Sequence, residues 1–395
     1  MRQRHGCARR HDPDQGAPAR AAPASGETGR ESREGAMEVA EILEGLLETL
    51  GEAETVALAG LAVGLVFGVA AQRSRFCLRA SVVEFARGRL GPRMAVWLLC
   101  FATALLWTQA LIFAGEIDLA ESRWLGQPGS VSGAVLGGLV FGAGMVLARG
   151  CPGRLLVLAA TGNLRAILSG LVFAVAAQMS LHGLLAGPRG RLAAEIVTPG
   201  PNPDLAAAAG LPGWAGIALG AGFTLAALWL AWRNRVSARL LVFGSGVGFA
   251  AAAGWWITHA LAGLTFAPTP VESLTFSGPS ADMLIYVLTP APALDFDIGL
   301  VPGVFLGAFL AALAAGELEW QGWAGVRSMQ RSLTGAALMG FGAMLAGGCS
   351  IGAGVSGGSA LALTAWLALA AMWAGGALTD ALLDRREEAA AARGT

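Results

Sequence analysis

Residues 340–360 read "GFGAMLAGGCSIGAGVSGGSA", and the character of the chain changes within this stretch at Cys349. An apolar run ends there, and a segment of glycine and serine follows that is too short to cross a bilayer. Non-helical backbone at membrane depth is tolerated only where it is buried in protein or lines a cavity. The stretch therefore predicts a membrane helix that breaks at Cys349 and continues as a short re-entrant half-helix.

The composition of the whole chain agrees with a membrane location. Hydrophobic residues make up 55% of the 395 residues, charged residues make up 14%, and the mean hydropathy is +0.59. Soluble domains carry about a quarter charged residues, so we expect an all-α membrane protein embedded in a lipid bilayer. The formal net charge is zero, which leaves no basic face for nucleic acid.

Apolar runs long enough to cross about 30 Å of hydrocarbon recur along the chain. They predict about nine transmembrane helices, at roughly residues 55–72, 93–114, 130–149, 164–186, 213–233, 239–257, 298–315, 332–348 and 361–380.

Four ten-residue stretches can be aligned with one another, which indicates an internal repeat. They are "GVAAQRSRFC" (68–77), "GAGMVLARGC" (142–151), "GVGFAAAAGW" (246–255) and "GFGAMLAGGC" (340–349). Each is expected to end a spanning helix and to be followed by a half-helix. We therefore predict a first transmembrane half over residues 51–190, a loop and connecting helix over 191–237, and a second, inverted half over 238–395.

The arginines predict the orientation, because cytoplasmic connections retain positive charge. The connections after spans one, three, five and seven, with the carboxyl-terminal tail, hold 17 arginines, whereas the opposite connections hold only Arg123, Arg189 and Arg191. The amino end is therefore expected outside and the carboxyl end in the cytoplasm. Residues 1–50 read as a disordered tail, and its arginines contradict this orientation unless the chain starts near Met37 or the tail is translocated.

The three aligned cysteines suggest a route for an anion. A neutral thiol is a weak S–H donor, and half-helix amino termini present partial positive charge. Serine hydroxyls would add neutral donors, and the glycines before the cysteines would let a broken helix approach the substrate. Trp255 holds the fourth equivalent position, where it would plug the path. The candidate path residues are Cys77, Gly150, Cys151, Arg154, Trp255, Gly348, Cys349, Ser350, Ser356 and Ser359.

Three motifs resemble the signatures of the YeeE/YedE family of sulfur-transport membrane proteins: "SRFCLRAS" (74–81), "RGCPGR" (149–154) and "GGCSIGAGVSGG" (347–358). The resemblance implies an hourglass of nine helices in the bacterial inner membrane. It also implies that thiosulfate passes along thiols that match Cys77, Cys151 and Cys349, by S–H···S contacts. Arg149, Pro152 and Arg154 depart from the more glycine-rich family form, so other sulfur or selenium species stay open as substrates.

Other readings of the same residues predict different functions. "GVSG" (354–357) has the form of an intramembrane serine protease motif, but no histidine follows Ser356 to activate it. A thiol-redox enzyme would need paired, activated cysteines, and the scattered cysteines give little support to a zinc site or a disulfide framework. A channel for a small neutral solute stays open. We expect no enzyme activity and no cofactor or metal, while proton coupling, facilitated diffusion and capture by a cytoplasmic sulfur-carrier protein all stay open.

Overall fold

The structure, a computed structural model, describes residues 41–290, 293–322 and 325–385. The expectations about Met37 and about the first 40 residues lie outside this described part. Residues 41–50 form a helix, α1, so the expectation of a disordered tail over 1–50 does not hold for these ten residues.

The protein is built almost entirely from helices. They are α2 (Glu52–Ser74), α3 (Leu78–Ala86), α4 (Pro92–Ala114), α5 (Val131–Leu147), α6 (Pro152–Ala160), α7 (Leu164–His182), α8 (Ala186–Ala194), α9 (Leu205–Ala208), α10 (Ala215–Arg233), α11 (Ala238–Leu264), α12 (Ser277–Leu288), α13 (Phe296–Ala315), α14 (Val326–Leu345) and α15 (Leu363–Thr379). Two π-helical segments are π1 (Gly352–Gly357) and π2 (Asp380–Asp384). A small antiparallel sheet pairs β1 (Pro128–Ser130) with β2 (Val197–Pro201).

Eight helical segments of the described residues are long and apolar enough to cross a membrane, which confirms the all-α membrane class. The span predicted at 332–348 corresponds to α14, which is more polar because its first turns carry Arg327 and Arg331. It nevertheless packs within the bundle. A methyl group at Gly335 would overlap the backbone of α5, and one at Gly340 would lie 2.7 Å from the carbonyl oxygen of Phe173 in α7.

Helices α2 and α13 form the most extensive helix pair, and glycine makes their close approach possible. Small residues four apart let helix backbones touch, which is how helices associate in lipid, where the hydrophobic effect does not draw them together. Side chains at these positions would overlap the backbone of the opposite helix. The glycines are Gly60, Gly64 and Gly68 in α2 and Gly299, Gly303 and Gly307 in α13. The packing fixes the end of α2, where the first predicted helix break lies.

The helix pairs correspond between the two predicted halves. We match the helices of the first half, in chain order, with those of the second: α2 with α11, α4 with α13, α5 with α14 and α7 with α15. Under this matching, the contact between α2 and α13 corresponds to the contact between α11 and α4. The contact between α5 and α15 likewise corresponds to the contact between α14 and α7. The contacts α2–α11 and α5–α14 each correspond to themselves, because the matching exchanges their two helices. The division into two halves and their inversion both stay predictions.

The predicted break at Trp255 is wrong. Helix α11 runs without interruption from Ala238 to Leu264, so the segment after Trp255 is not a half-helix. The stretch "GVGFAAAAGWWITHALAGL" (246–264) contains no proline or polar turn residue to end the helix. Under the matching of the two halves, α12 takes the position of the third predicted half-helix. It follows a loop over residues 265–276.

Candidate functional site

The three helix breaks share one backbone conformation. Arg75, Arg149 and Gly347 adopt left-handed conformations with φ of 53°, 60° and 79°. Each lies two residues before one of the three cysteines of the predicted path, which we call the path cysteines. This conformation costs a non-glycine residue roughly 1–2 kcal/mol, so packing around the two arginines must hold it. The break turns the chain so that Cys77 begins α3 and Cys151 begins α6.

The structure brings the three predicted cysteines together. Cys151 interacts electrostatically with both Cys77 and Cys349, although the three lie at the ends of different helices. Cys151 and Cys349 are buried, whereas Cys77 is half-buried. All three are free thiols. A buried line of neutral thiols that opens at Cys77 can donate weak hydrogen bonds to an anion.

Cys349 lies at the amino ends of two helical segments. Its sulfur accepts hydrogen bonds from the backbone N–H of Phe276, which precedes α12, at 3.4 Å and from that of Gly352, at the start of π1, at 3.5 Å. These bonds orient the side chain and leave the S–H as its group for donation. Helix amino termini also carry partial positive charge, so the surroundings of Cys349 favour an anion.

The three predicted serines have different environments. The Ser350 hydroxyl interacts with Cys151 and meets full hydrogen-bond geometry with no group in the described part of the chain. Ser356 donates to the carbonyl oxygen of Leu274 at 2.7 Å, and Ser359 donates to that of Ser356 at 2.7 Å. Backbone carbonyls thus accept the protons of Ser356 and Ser359 in this structure, and the prediction that the three serines supply donors to the path stays a prediction.

Arg154 lies at the Cys77 end of the thiol line. It interacts electrostatically with Cys77 and Cys151, and its buried Nη1 atom has no hydrogen-bond partner among the described residues. Glu317 is also nearby, but it bonds with Arg75 at 3.5 Å and accepts from Gln72 at 2.9 Å. The Arg154 guanidinium is thus placed to attract an anion at this end of the path.

The glycines before the cysteines are not equivalent, although the sequence places Gly150 and Gly348 alike. A methyl group at Gly348 would lie 2.8 Å from the backbone nitrogen of Ala353 and 3.1 Å from the Trp124 ring. At Gly150 it would meet only side chains, the nearest atom being in Leu155 at 3.4 Å. Close approach of backbone requires glycine at 348, whereas the structure gives no such reason at 150.

Trp255 faces the same region from the unbroken helix α11. Its indole is buried, and its Nε1 donates to Ser359 Oγ at 3.3 Å. It lines a small cavity with Arg123, Trp124 and Gly352. Trp255 therefore packs beside π1 and does not end a helix as the cysteines do.

A larger cavity is lined by Gly347, two residues before Cys349, and by Ser277 in the first turn of α12. It has a volume of about 450 Å³, and we call it the Arg123 cavity. Arg123 donates to the carbonyl oxygen of Gly347 at 2.7 Å and lies over the Trp124 ring at 5.3 Å. Both residues line this cavity and also the small one beside Gly352, so they lie between the two cavities.

Sequence reasoning treated Arg123 only as an orientation marker and missed the carboxylates around this cavity. Asp282 and Asp297 line it, and Glu272 lines the small cavity. One signal was present in the sequence: Asp297 stands in the first turn of the apolar helix α13, and an ionisable group in a membrane helix indicates function by default.

Comparisons with known proteins show what this chain is similar to. The chain is 28% identical to "Thiosulfate transporter TsuA" of Spirochaeta thermophila over 334 residues, which cover 78% of this chain and 93% of that protein. It is 26% identical to "Thiosulfate transporter TsuA" of Escherichia coli strain K12 over 339 residues, which cover 80% of this chain and 91% of that protein. The family described as sulphur transport matches residues 73–378, a range that contains all three path cysteines. The chain therefore belongs to the sulphur transport family of multi-pass membrane proteins.

Proposed function

We propose that this protein carries thiosulfate into the cell across the inner membrane of a bacterium. One observation carries the proposal: three free thiols from separate helix breaks converge in the buried part of the bundle. Membership of a sulphur transport family and two relatives named as thiosulfate transporters support the substrate.

The chemistry of the path fits this substrate. Thiosulfate is a dianion whose terminal sulfur accepts hydrogen bonds from thiols and whose oxygens accept from N–H groups. Cys349, Cys151 and Cys77 offer weak donors in series, which holds an anion loosely enough for it to move on. Ser350 and Arg154 add a neutral donor and a positive charge beside this line.

The proposed direction follows from the arginines. The Arg123 cavity lies at the arginine-poor side, which the positive-inside rule places outside the cell. Cys77 then faces the cytoplasm together with Arg75 and Arg154, and the amino end of the bundle lies outside. A cytoplasmic sulfur-carrier protein is the proposed recipient, supported by the half-exposed position of Cys77 at that end.

Uptake of radiolabelled thiosulfate by proteoliposomes tests the proposal. We expect Cys151→Ala and Cys349→Ala to lower the initial rate by at least about tenfold, because each removes one donor from the line and a loss of about 1.4 kcal/mol in the barrier suffices. The matched control is Cys100→Ala, since Cys100 is an equally buried free thiol within α4. Wild-type rates in both path variants would refute the thiol path, and absence of uptake by the wild-type protein would refute the substrate.

A further inference from the structure

Carboxylates surround the place where an anion would leave the Arg123 cavity for Cys349, and the thiol path does not use them. Phe276 donates its N–H to Cys349, and the next two residues, Ser277 and Gly278, line the cavity. The first turn of α12 therefore connects the cavity with the thiol. Negative charges at this point would repel a dianion unless they were neutralised.

Two of these carboxylates face one small volume. A methyl group at Gly278 would lie 3.6 Å from Asp282 Oδ2 and 3.7 Å from Asp297 Oδ2. The Oδ1 atom of Asp297 is closed off from solvent and has no hydrogen-bond partner among the described residues. A buried carboxylate oxygen without a donor is costly, and binding a proton removes that cost.

The charged groups around this pair come from several elements. They are Arg123 before β1, Glu272 before α12, Asp295 at the start of α13, His182 at the end of α7 and Arg189 in α8. Asp295 is occupied as the cap of α13, since its Oδ1 accepts from Ile298 N–H at 2.8 Å. Carboxylates thus outnumber the nearby arginines, and Arg123 is the cation that interacts with both Glu272 and Asp297.

Resting on the proposed function, we propose that Asp282 and Asp297 are a proton-binding pair that couples thiosulfate uptake to inward movement of protons. When the two carboxylates bind protons, the repulsion of the dianion ends, and Arg123 can attract the substrate in place of their charges. Two protons with one dianion make the step electroneutral. The inside-negative membrane potential, which opposes movement of a dianion into the cell, then no longer acts on it.

Two carboxylates near the first turn of α12 have a raised pKa: Glu272, in the loop before α12, and Asp282, in α12. Burial raises the pKa of Glu272 to about 7, and burial likewise raises the pKa of Asp282 above its ordinary value. A carboxyl with a raised pKa is charged only above that pKa. Repulsion from Glu272 at the small cavity should therefore grow as the external pH rises through neutrality, and repulsion from Asp282 in the Arg123 cavity should fall in acid.

Proteoliposomes that contain a pH-sensitive dye and receive radiolabelled thiosulfate test the coupling. For the wild-type protein we expect uptake to be about tenfold faster at an external pH of about 6 than at about 8, and the interior to acidify when thiosulfate is added. Asp282→Asn and Asp297→Asn should carry thiosulfate at rates that depend less on pH than the wild-type rate, since Glu272 remains, with less acidification per anion. Asp118→Asn is the control, because Asp118 is exposed and only caps a turn through Ala120 N–H.

A third variant keeps the test independent of how well the Asn variants fold. In Gly278→Ala the methyl group makes ordinary contacts with both carboxylates and adds apolar surface beside them. We expect the pH at half-maximal uptake to shift upward, since a drier carboxylate holds its proton more tightly.

The outcomes separate this proposal from the proposed function. Wild-type uptake that neither depends on external pH nor acidifies the interior would overturn proton coupling and leave thiosulfate transport intact. Unchanged pH dependence in the Asp282, Asp297 and Gly278 variants would overturn the assignment to this pair. No uptake at any pH would instead refute the function itself.

Discussion

Gly348 and Gly150 each stand immediately before a predicted path cysteine in two of the aligned ten-residue stretches, and the structure predicts different responses to alanine. In Gly348→Ala the new methyl group would lie 2.8 Å from Ala353 N and 3.1 Å from the Trp124 ring. Backbone and an indole cannot bend away as a flexible side chain can. The groups must separate by roughly half an ångström, and overpacking of this kind costs typically about 1–3 kcal/mol.

The overpacking would displace the backbone around Cys349. Ala353 N–H donates to the Cys349 carbonyl oxygen at 2.8 Å, so moving Ala353 also moves the backbone of the thiol. If about 2 kcal/mol appears in the barrier, the uptake rate falls roughly thirtyfold. In Gly150→Ala the methyl group meets only Leu155 and Arg154 side-chain atoms, at 3.4 Å and beyond. We expect that rate to stay within about twofold of wild type.

The assay is the initial rate of thiosulfate uptake by proteoliposomes that hold equal amounts of each protein. Thermal unfolding in detergent shows whether each variant is folded, and we expect a lower midpoint for Gly348→Ala only. Equal rates and midpoints for Gly348→Ala and wild type would refute the steric argument. Equal damage in both alanine variants would refute the claim that tertiary packing distinguishes these glycines.

Two further predictions concern charged groups at opposite ends of the bundle. Arg123→Gln should raise the KM for thiosulfate about tenfold or more, because a charged donor contributes roughly 1.5–3 kcal/mol to binding. The control is Arg191→Gln, which changes an exposed arginine of the same side. Equal KM values for the two variants would contradict the role of Arg123. Asp380→Asn should lower the free energy of unfolding by about 1.5–3 kcal/mol, because the Asp380 carboxylate accepts from Arg87 at 2.8 and 3.0 Å. Unfolding midpoints check this against the exposed Glu195→Gln, and similar midpoints would contradict it.

The sequence by itself determined the class of protein, most of its spans and the three breaks at cysteine. These features depend on residues close together in the chain. Apolar runs of a given length must be helical in lipid. A break is indicated where such a run ends in glycine or arginine and a short amphipathic segment follows. The same local argument went wrong at Trp255, because the alanine-rich stretch of α11 has the composition of a break motif without a residue that leaves the helix.

Only the tertiary structure decided what each polar group in the site does. Ser356 and Ser350 look alike in sequence, yet the carbonyl oxygen of Leu274, from a loop 82 residues away, accepts the proton of Ser356 and leaves Ser350 beside Cys151. Asp297 in α13 and Asp282 in α12 likewise both lie within 3.7 Å of where a methyl group at Gly278 would be, which only the packing of these helices decides. A hydrogen bond or a charge pair depends on the group opposite, and that group is brought there by packing between helices that are distant along the chain.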